Sequence, residues 1–235
     1  MADLPDRSKL ERKAERAMSG LSRSQRDRLA ELLGDPPDME NVPASFWRNV
    51  EEERQQRIAE FALLIWLLSA KQHGATDKEA AAAAGARYAA DRSKRLARDF
   101  VVVSKDKLAI RAREWEERRR KAATDPAVEP PSKADAEQAA DEVFAPSRDE
   151  SIGITETTQA TSAGGEWATK DADKASPEDQ WITEADGKVC PVCQPLHEQP
   201  RAVWEGKFPD GPPGHPRCRC WIEYAVGAAT ELATT

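Results

Sequence analysis

All four cysteines of this chain lie between residues 190 and 220, as Cys190-Pro191-Val192-Cys193 and Cys218-Arg219-Cys220, with His215 just ahead of the second pair. A two-residue gap lets both thiolates of a turn reach one tetrahedral ion at about 2.3 Å. On an extended segment, side chains two apart share a face, so Cys218 and Cys220 can meet the same ion. Five donors therefore compete for four positions. The pattern calls for structural zinc, with Cys190 and Cys193 the firmest ligands, then Cys218 and Cys220, and His215 as ligand or support.

The rival readings of the cluster are weaker. A thiol-redox CxxC usually opens a helix in a βαβ setting, and prolines and glycines surround this one. A disulfide framework spreads its cysteines to staple a fold, whereas these are bunched in the last fifth of the chain. A catalytic zinc needs an open position and a nearby acid or base, for which Glu184, Asp186 and Glu198 are the candidates. His197 and His73 read as surface or packing histidines.

With 235 residues, a third of them charged, 39% hydrophobic and 6% aromatic, the chain can build one modest core or two small ones. Its amino terminus is charged throughout, so no secretory leader is expected. The longest apolar run, Phe61 to Leu68, falls far short of the roughly 20 residues that cross a bilayer and reads as the buried stripe of a helix. No membrane contact is expected.

The net charge of −7 hides an asymmetry, because residues 1–125 carry 26 basic and 22 acidic side chains whereas 126–180 carry 4 and 13. Between Arg87 and Lys121 the balance is 13 basic to 6 acidic. Arg87, Arg92, Lys94, Arg95, Arg98, Arg111, Arg113, Arg118, Arg119 and Arg120 are the candidates there for contact with nucleic acid or an acidic protein. The plainer reading is a solvated helix face of mixed charge.

Helical signals dominate the first half. Ser22 reads as the cap of a helix that stops at Gly34. Ser45 opens a helix of nearly thirty residues to Gly74, with Phe46, Val50, Ile58, Phe61, Leu64, Ile65 and Leu68 at near-helical spacing. Thr76 and Glu79 fit a capping box for a second long helix ending near Ala123. Phe100 to Ser104, FVVVS, is the one place there for a strand or kink. Residues 124–135, with three prolines, read as a linker or hinge. A short helix follows over Ala134 to Phe144. Another opens at a Ser147–Glu150 box, places Ile152, Thr155, Glu156, Gln159 and Ser162 on one side, and ends at Gly164-Gly165. Residues 169–180 read as polar and exposed.

From Trp181 proline, glycine, tryptophan and cysteine crowd together, and such a segment needs a source of order other than helix packing. The fold expected is mainly α: a long-helix amino-terminal region followed by a small α+β zinc-clamped module with Trp181, Val189, Trp204, Phe208, Trp221 and Ile222 as its filling. The divisions expected are a helical arm or bundle over 1–125, a linker with short helices over 126–180, and the module with its tail over 181–235.

Three blocks, TETTQATSAG, then WITEADGKVCPVCQPLH, then FPDGPPGHPRCRC, follow one another over roughly residues 150–224. Together they resemble the carboxyl-terminal half of the minor head, or head morphogenesis, proteins of tailed bacteriophages, the family typified by the F protein of phage Mu. The resemblance rests on Thr155-Glu156-Thr157, on Trp181 and Thr183 leading to Asp186 and the first cysteine pair, and on His215-Pro216 before Cys218-Arg219-Cys220. Where family members have a leucine-x-glycine turn after the first pair, this chain has Leu196-His197-Glu198.

The resemblance implies a non-enzymatic, low-copy virion component at the portal vertex, assembled in the host cytoplasm. Its implied partners are portal and capsid proteins and packaged DNA, with oligomerisation around the portal. A zinc-framed nuclease is the alternative of another class, and a zinc DNA-binding regulator a third. The net charge of −2 over 181–235 disfavours the regulator, whose phosphate contacts would have to come from the helical half.

Overall fold

A computed structural model describes residues 6–171, 176–184 and 190–225. Val189 and Asp186, named above as filling and as candidate acid, lie outside them. Five helices precede a small sheet: α1 (Arg7–Leu33), α2 (Ala44–Gln72), α3 (Lys78–Ala122), α4 (Lys133–Val143) and α5 (Pro146–Asp171). The expected mainly-α chain ending in a small α+β module is what forms. The chain divides into two compact units, one gathering Met1–Arg12, Phe61–Tyr88 and Ser151–Thr235, the other Lys13–Glu60 and Ala89–Glu150.

The helix signals hold at the stops more often than at the starts. Gly34 and Gly74 adopt φ of +78° and +91° just past α1 and α2, a left-handed conformation that glycine takes without strain. By contrast α1 begins fifteen residues before the expected cap at Ser22. Ser22 is buried, its hydroxyl accepting from Arg54 at 2.5 Å and donating to Asp149 at 2.9 Å. At α3 the cap is Asp77 rather than Thr76, its carboxylate accepting the Glu79 and Ala80 amides at 2.9 Å. FVVVS forms no strand. It lies within the continuous α3, where the Ser104 hydroxyl bonds the Phe100 carbonyl at 2.6 Å.

The unit formed by 13–60 and 89–150 is organised around one buried guanidinium. Arg54, fully buried on α2, lies 3.4 Å over the Phe100 ring and 5.5 Å from that of Phe144. It donates to Gln25 at 2.8 Å and pairs with Asp149 at 3.5 Å. A buried charge is tolerated only when so paired and hydrogen-bonded. Burial pulls the Arg54 pKa down to about 10, with Asp149 opposing.

In the other unit α5 is the central element. From Ser151 to Thr169 none of its residues is exposed, although the sequence reads as polar and was expected to bury one side. Gly164 and Gly165 do not end this helix. A Cβ at Gly164 would lie 2.4 Å from the Trp66 carbonyl oxygen, and one at Gly165 would lie 2.8 Å from the Tyr224 ring, so both glycines permit close packing. The Ser69 hydroxyl of α2 donates to the Thr161 carbonyl at 2.6 Å. Gly85 of α3 accommodates the Trp66 ring in the same way, its Cβ position being 2.8 Å from that ring. Leu64 and Leu68, expected in the core, stand 38% and 39% exposed.

The sheet has three short antiparallel strands, β1 (Gln180–Ile182), β2 (Gln199–Pro200) and β3 (Trp221–Glu223), in the order β2-β1-β3, with one turn of helix, α6 (Arg201–Trp204). Trp181 pairs with Gln199 on one side and Ile222 on the other. Arg201 of α6 bonds Glu166 of α5 at 2.7 Å and Asp179 at 3.1 Å. Of the stretch 169–180 expected to be exposed, Lys170, Pro177 and Glu178 are, whereas Asp179 is fully buried and Thr169 nearly so; residues 172–175 lie outside the described residues.

Candidate metal centre

The cysteine-rich segments on either side of β2 and α6 come together against β1. Trp181, Trp204, Ile222 and Tyr224 form one buried cluster with Cys193, Cys218 and Cys220, and Cys190, Leu196 and Phe208 pack against it. Of the expected filling, Trp181, Trp204, Phe208 and Ile222 are there. Trp221 is half-exposed on the other face of β3, and Tyr224, not foreseen, is 4% exposed. Strand alternation is the physical reason: Ile222 and Trp221 are neighbours and must point opposite ways.

All five donors converge, in two overlapping triads. Cys190, Cys193 and His215 form one, Cys193, Cys218 and Cys220 the other, with the ligand atoms of each within 4.8 Å of one another. Cys193 belongs to both. Its Sγ lies 3.8 Å from that of Cys218, matching the sulfur–sulfur edge of about 3.8 Å that a tetrahedral ion with bonds of about 2.3 Å requires. All four cysteines are free thiols.

The turn chemistry prepares these groups as ligands. The Cys193 amide donates to Cys190 Sγ at 3.4 Å, which fixes the sulfur at the first position of the CxxC turn. His215 Nδ1 lies 2.7 Å from the Pro216 carbonyl oxygen. A carbonyl only accepts, so Nδ1 carries the proton and Nε2 presents a lone pair. Nε2 lies 2.8 Å from Cys190 Sγ. Hydrogen bonds from Cys193 and Cys220 pull the Cys218 thiol pKa down, and the same sharing, with burial added, pushes Cys193 up. These residues could hold a metal ion.

Supports for the second cysteine pair come from two helices. The Thr158 hydroxyl donates to the Cys218 carbonyl at 2.5 Å, and the Arg217 amide donates to Thr155 Oγ1 at 2.9 Å. From α1, Arg7 donates to Thr158 Oγ1 and, at 3.5 Å, to the Cys220 carbonyl. No motif spacing announces contacts between residues 60 to 213 positions apart. Of the other titratable groups, His197 is exposed with Nδ1 accepting the Thr183 amide at 3.2 Å. His73 is buried edge-on to Tyr224, its Nδ1 donating to the Ser69 carbonyl at 2.8 Å. Glu198 is exposed, with φ of +58°.

The basic candidates all lie on α3, and the fold divides them. Arg111 pairs with Glu142 and Glu114, Arg118 with Asp135, and Arg119 and Arg120 with Glu116. Arg119 also donates to the Pro37 carbonyl at 2.5 Å. Arg92 is half-buried, and Arg87, Lys94, Arg95, Arg98 and Arg113 are exposed. Among the described residues no helix is long and apolar enough to cross a membrane. No family model, no curated protein and no solved structure matches the chain.

Proposed function

We propose that this protein is a non-enzymatic component of a tailed-phage head, of the minor head or head morphogenesis type, with its carboxyl-terminal module folded around a structural zinc ion. The observation that supports this most is that the outer blocks of the resemblance dock on each other. Thr155 and Thr158 of TETTQATSAG bond Arg217 and Cys218 of GHPRCRC, with the Trp181 strand in the same compact unit. Blocks spread over the last third of the sequence therefore work as one piece. Glu198, where the family's turn has glycine, takes the left-handed conformation that favours glycine.

Zinc suits the donors. Thiolates with an imidazole select it, and sites with four protein ligands are structural. Five donors for four positions leave no opening for a substrate. In this reading the exposed arginines of α3 meet packaged DNA or acidic portal surfaces, and several copies assemble around the portal in the host cytoplasm.

The test is fractionation of procapsids and mature heads from cells making the protein with its head proteins. Low-copy recovery with portal-containing particles is expected, and absence from heads overturns the reading. Cleavage of DNA by the purified chain with magnesium or manganese would replace it with the nuclease alternative.

A further inference from the structure

Residues Cys218, Arg219 and Cys220 carry two of the candidate ligands, yet they precede β3 and have no strand ladder of their own. Each is instead tied to a helix. The Cys218 carbonyl accepts from Thr158 of α5 at 2.5 Å, the Cys220 carbonyl from Arg7 of α1 at 3.5 Å, and the Arg219 guanidinium pairs with Glu11 of α1 at 3.5 Å. Arg7 also donates to Thr158 Oγ1 and pairs with Glu11 at 3.1 Å. The four groups form a continuous relay around the ligand segment. The Arg7 and Glu11 side chains are only 5% and 7% exposed. Burying two charges beside a loop is tolerable only while the loop's carbonyls and its arginine complete their pairing.

We propose that the first two turns of α1 belong to the metal centre. Arg7 and Glu11, with Thr158, are positioning residues that hold Cys218 and Cys220 where an ion can take them, so metal binding and docking of this segment are coupled. The inference rests on the zinc reading above. Groups that orient ligands from outside the coordination sphere typically change metal affinity by about 10- to 100-fold. Coupling between two binding equilibria is reciprocal, so the ion must tighten the α1 turns by the factor with which they tighten the ion. In the sequence Arg7 stands in an amino terminus that is charged throughout, some two hundred residues from the cysteines.

The experiment uses the full chain. Zinc affinity is measured by chelator competition for the wild type, Arg7→Ala, Arg7→Lys and Thr158→Val, and hydrogen exchange over residues 7–12 is followed with zinc and with EDTA. Arg7→Ala and Thr158→Val are expected to bind zinc about tenfold more weakly or worse, with partial recovery in Arg7→Lys. Exchange over 7–12 is expected to quicken when zinc is withdrawn.

The charge-transfer bands of the cobalt(II)-loaded Thr158→Val protein at saturation should differ from wild type. A loss of global stability alone would leave them unchanged. Should Arg7→Ala not fold, Thr158→Val decides, because it leaves α1 intact. Variants within twofold of wild type, or exchange over 7–12 indifferent to zinc, overturn the coupling while the zinc reading stands. A wild-type chain that takes up no zinc overturns both.

Discussion

A methyl group added to Gly164 would meet the Trp66 carbonyl oxygen at 2.4 Å and the Ser69 Cβ at 3.1 Å. Neither is the loose end of a flexible side chain, so the helices must move apart. Gly164→Ala is therefore expected to lower stability by about 1–3 kcal/mol in urea unfolding, the usual range for overpacking. Gly20, on the exposed side of α1, has nothing within 4 Å of its Cβ position. There alanine should raise stability by about 0.5–1 kcal/mol through helix propensity alone. Equal effects at the two positions would contradict the packing described for α5. Both glycines look alike as letters, and only the neighbour across the helix separates them. The five donors were legible for the opposite reason: ligand chemistry demands cysteine and histidine whatever surrounds them. The supports Arg7 and Thr158 were not legible, because arginine and threonine serve many roles and their partners are remote in sequence.

Along α1 the buried positions are Arg7, Glu11, Ala14, Met18, Ser22, Gln25, Leu29 and Leu33, a helical period of three and four. Half of them are polar. A serine ahead of an apolar-periodic run reads as a cap, which is why the helix was expected to begin at Ser22, and a pattern of apolar residues alone loses the stripe there and at Gln25. Its continuity depends on Arg54 and Asp149, contributed from other helices. Helix α5 shows the same effect more strongly, since three of its threonines return hydrogen bonds to the backbone one turn earlier, Thr157 to Gly153 at 2.7 Å, Thr161 to Thr157 at 2.7 Å and Thr169 to Gly165 at 3.0 Å. Satisfied in this way, a polar sequence can be buried on every side.

The cap of α3 gives a direct test at this scale. Asp77→Ala should cost about 1 kcal/mol of stability, and Thr76→Ala only a few tenths of that, read by thermal melts. The reverse order would restore the capping box with Thr76 at its head.

Across the whole chain, metal withdrawal should act on one region. EDTA, or serine at Cys190 and Cys193, is expected to abolish the near-ultraviolet dichroism from the Trp181 and Trp204 pair, whose rings lie 5.8 Å apart. Far-ultraviolet helicity should largely remain, because the helices carry cores of their own. Elemental analysis should find about one zinc per chain beforehand. A metal-free chain with its tryptophan signal intact would show that the cluster packs without an ion. The energetic reason for the expectation is size: apparent binding free energy for structural zinc is about 10–16 kcal/mol, large beside what so few apolar residues supply.

The order of helices, the glycine stops of α1 and α2 and the convergence of two cysteine pairs followed from the sequence alone, because propensity, φ > 0 and ligand chemistry are properties of single residues and short spacings. Which segments share a compact unit was decided by the tertiary structure. So was the burial of α5 on all sides, and so were the helices that hold Cys218 and Cys220. Those depend on pairs of residues far apart in the chain, where burial, close approach and the pairing of buried charge are settled only once the partners meet.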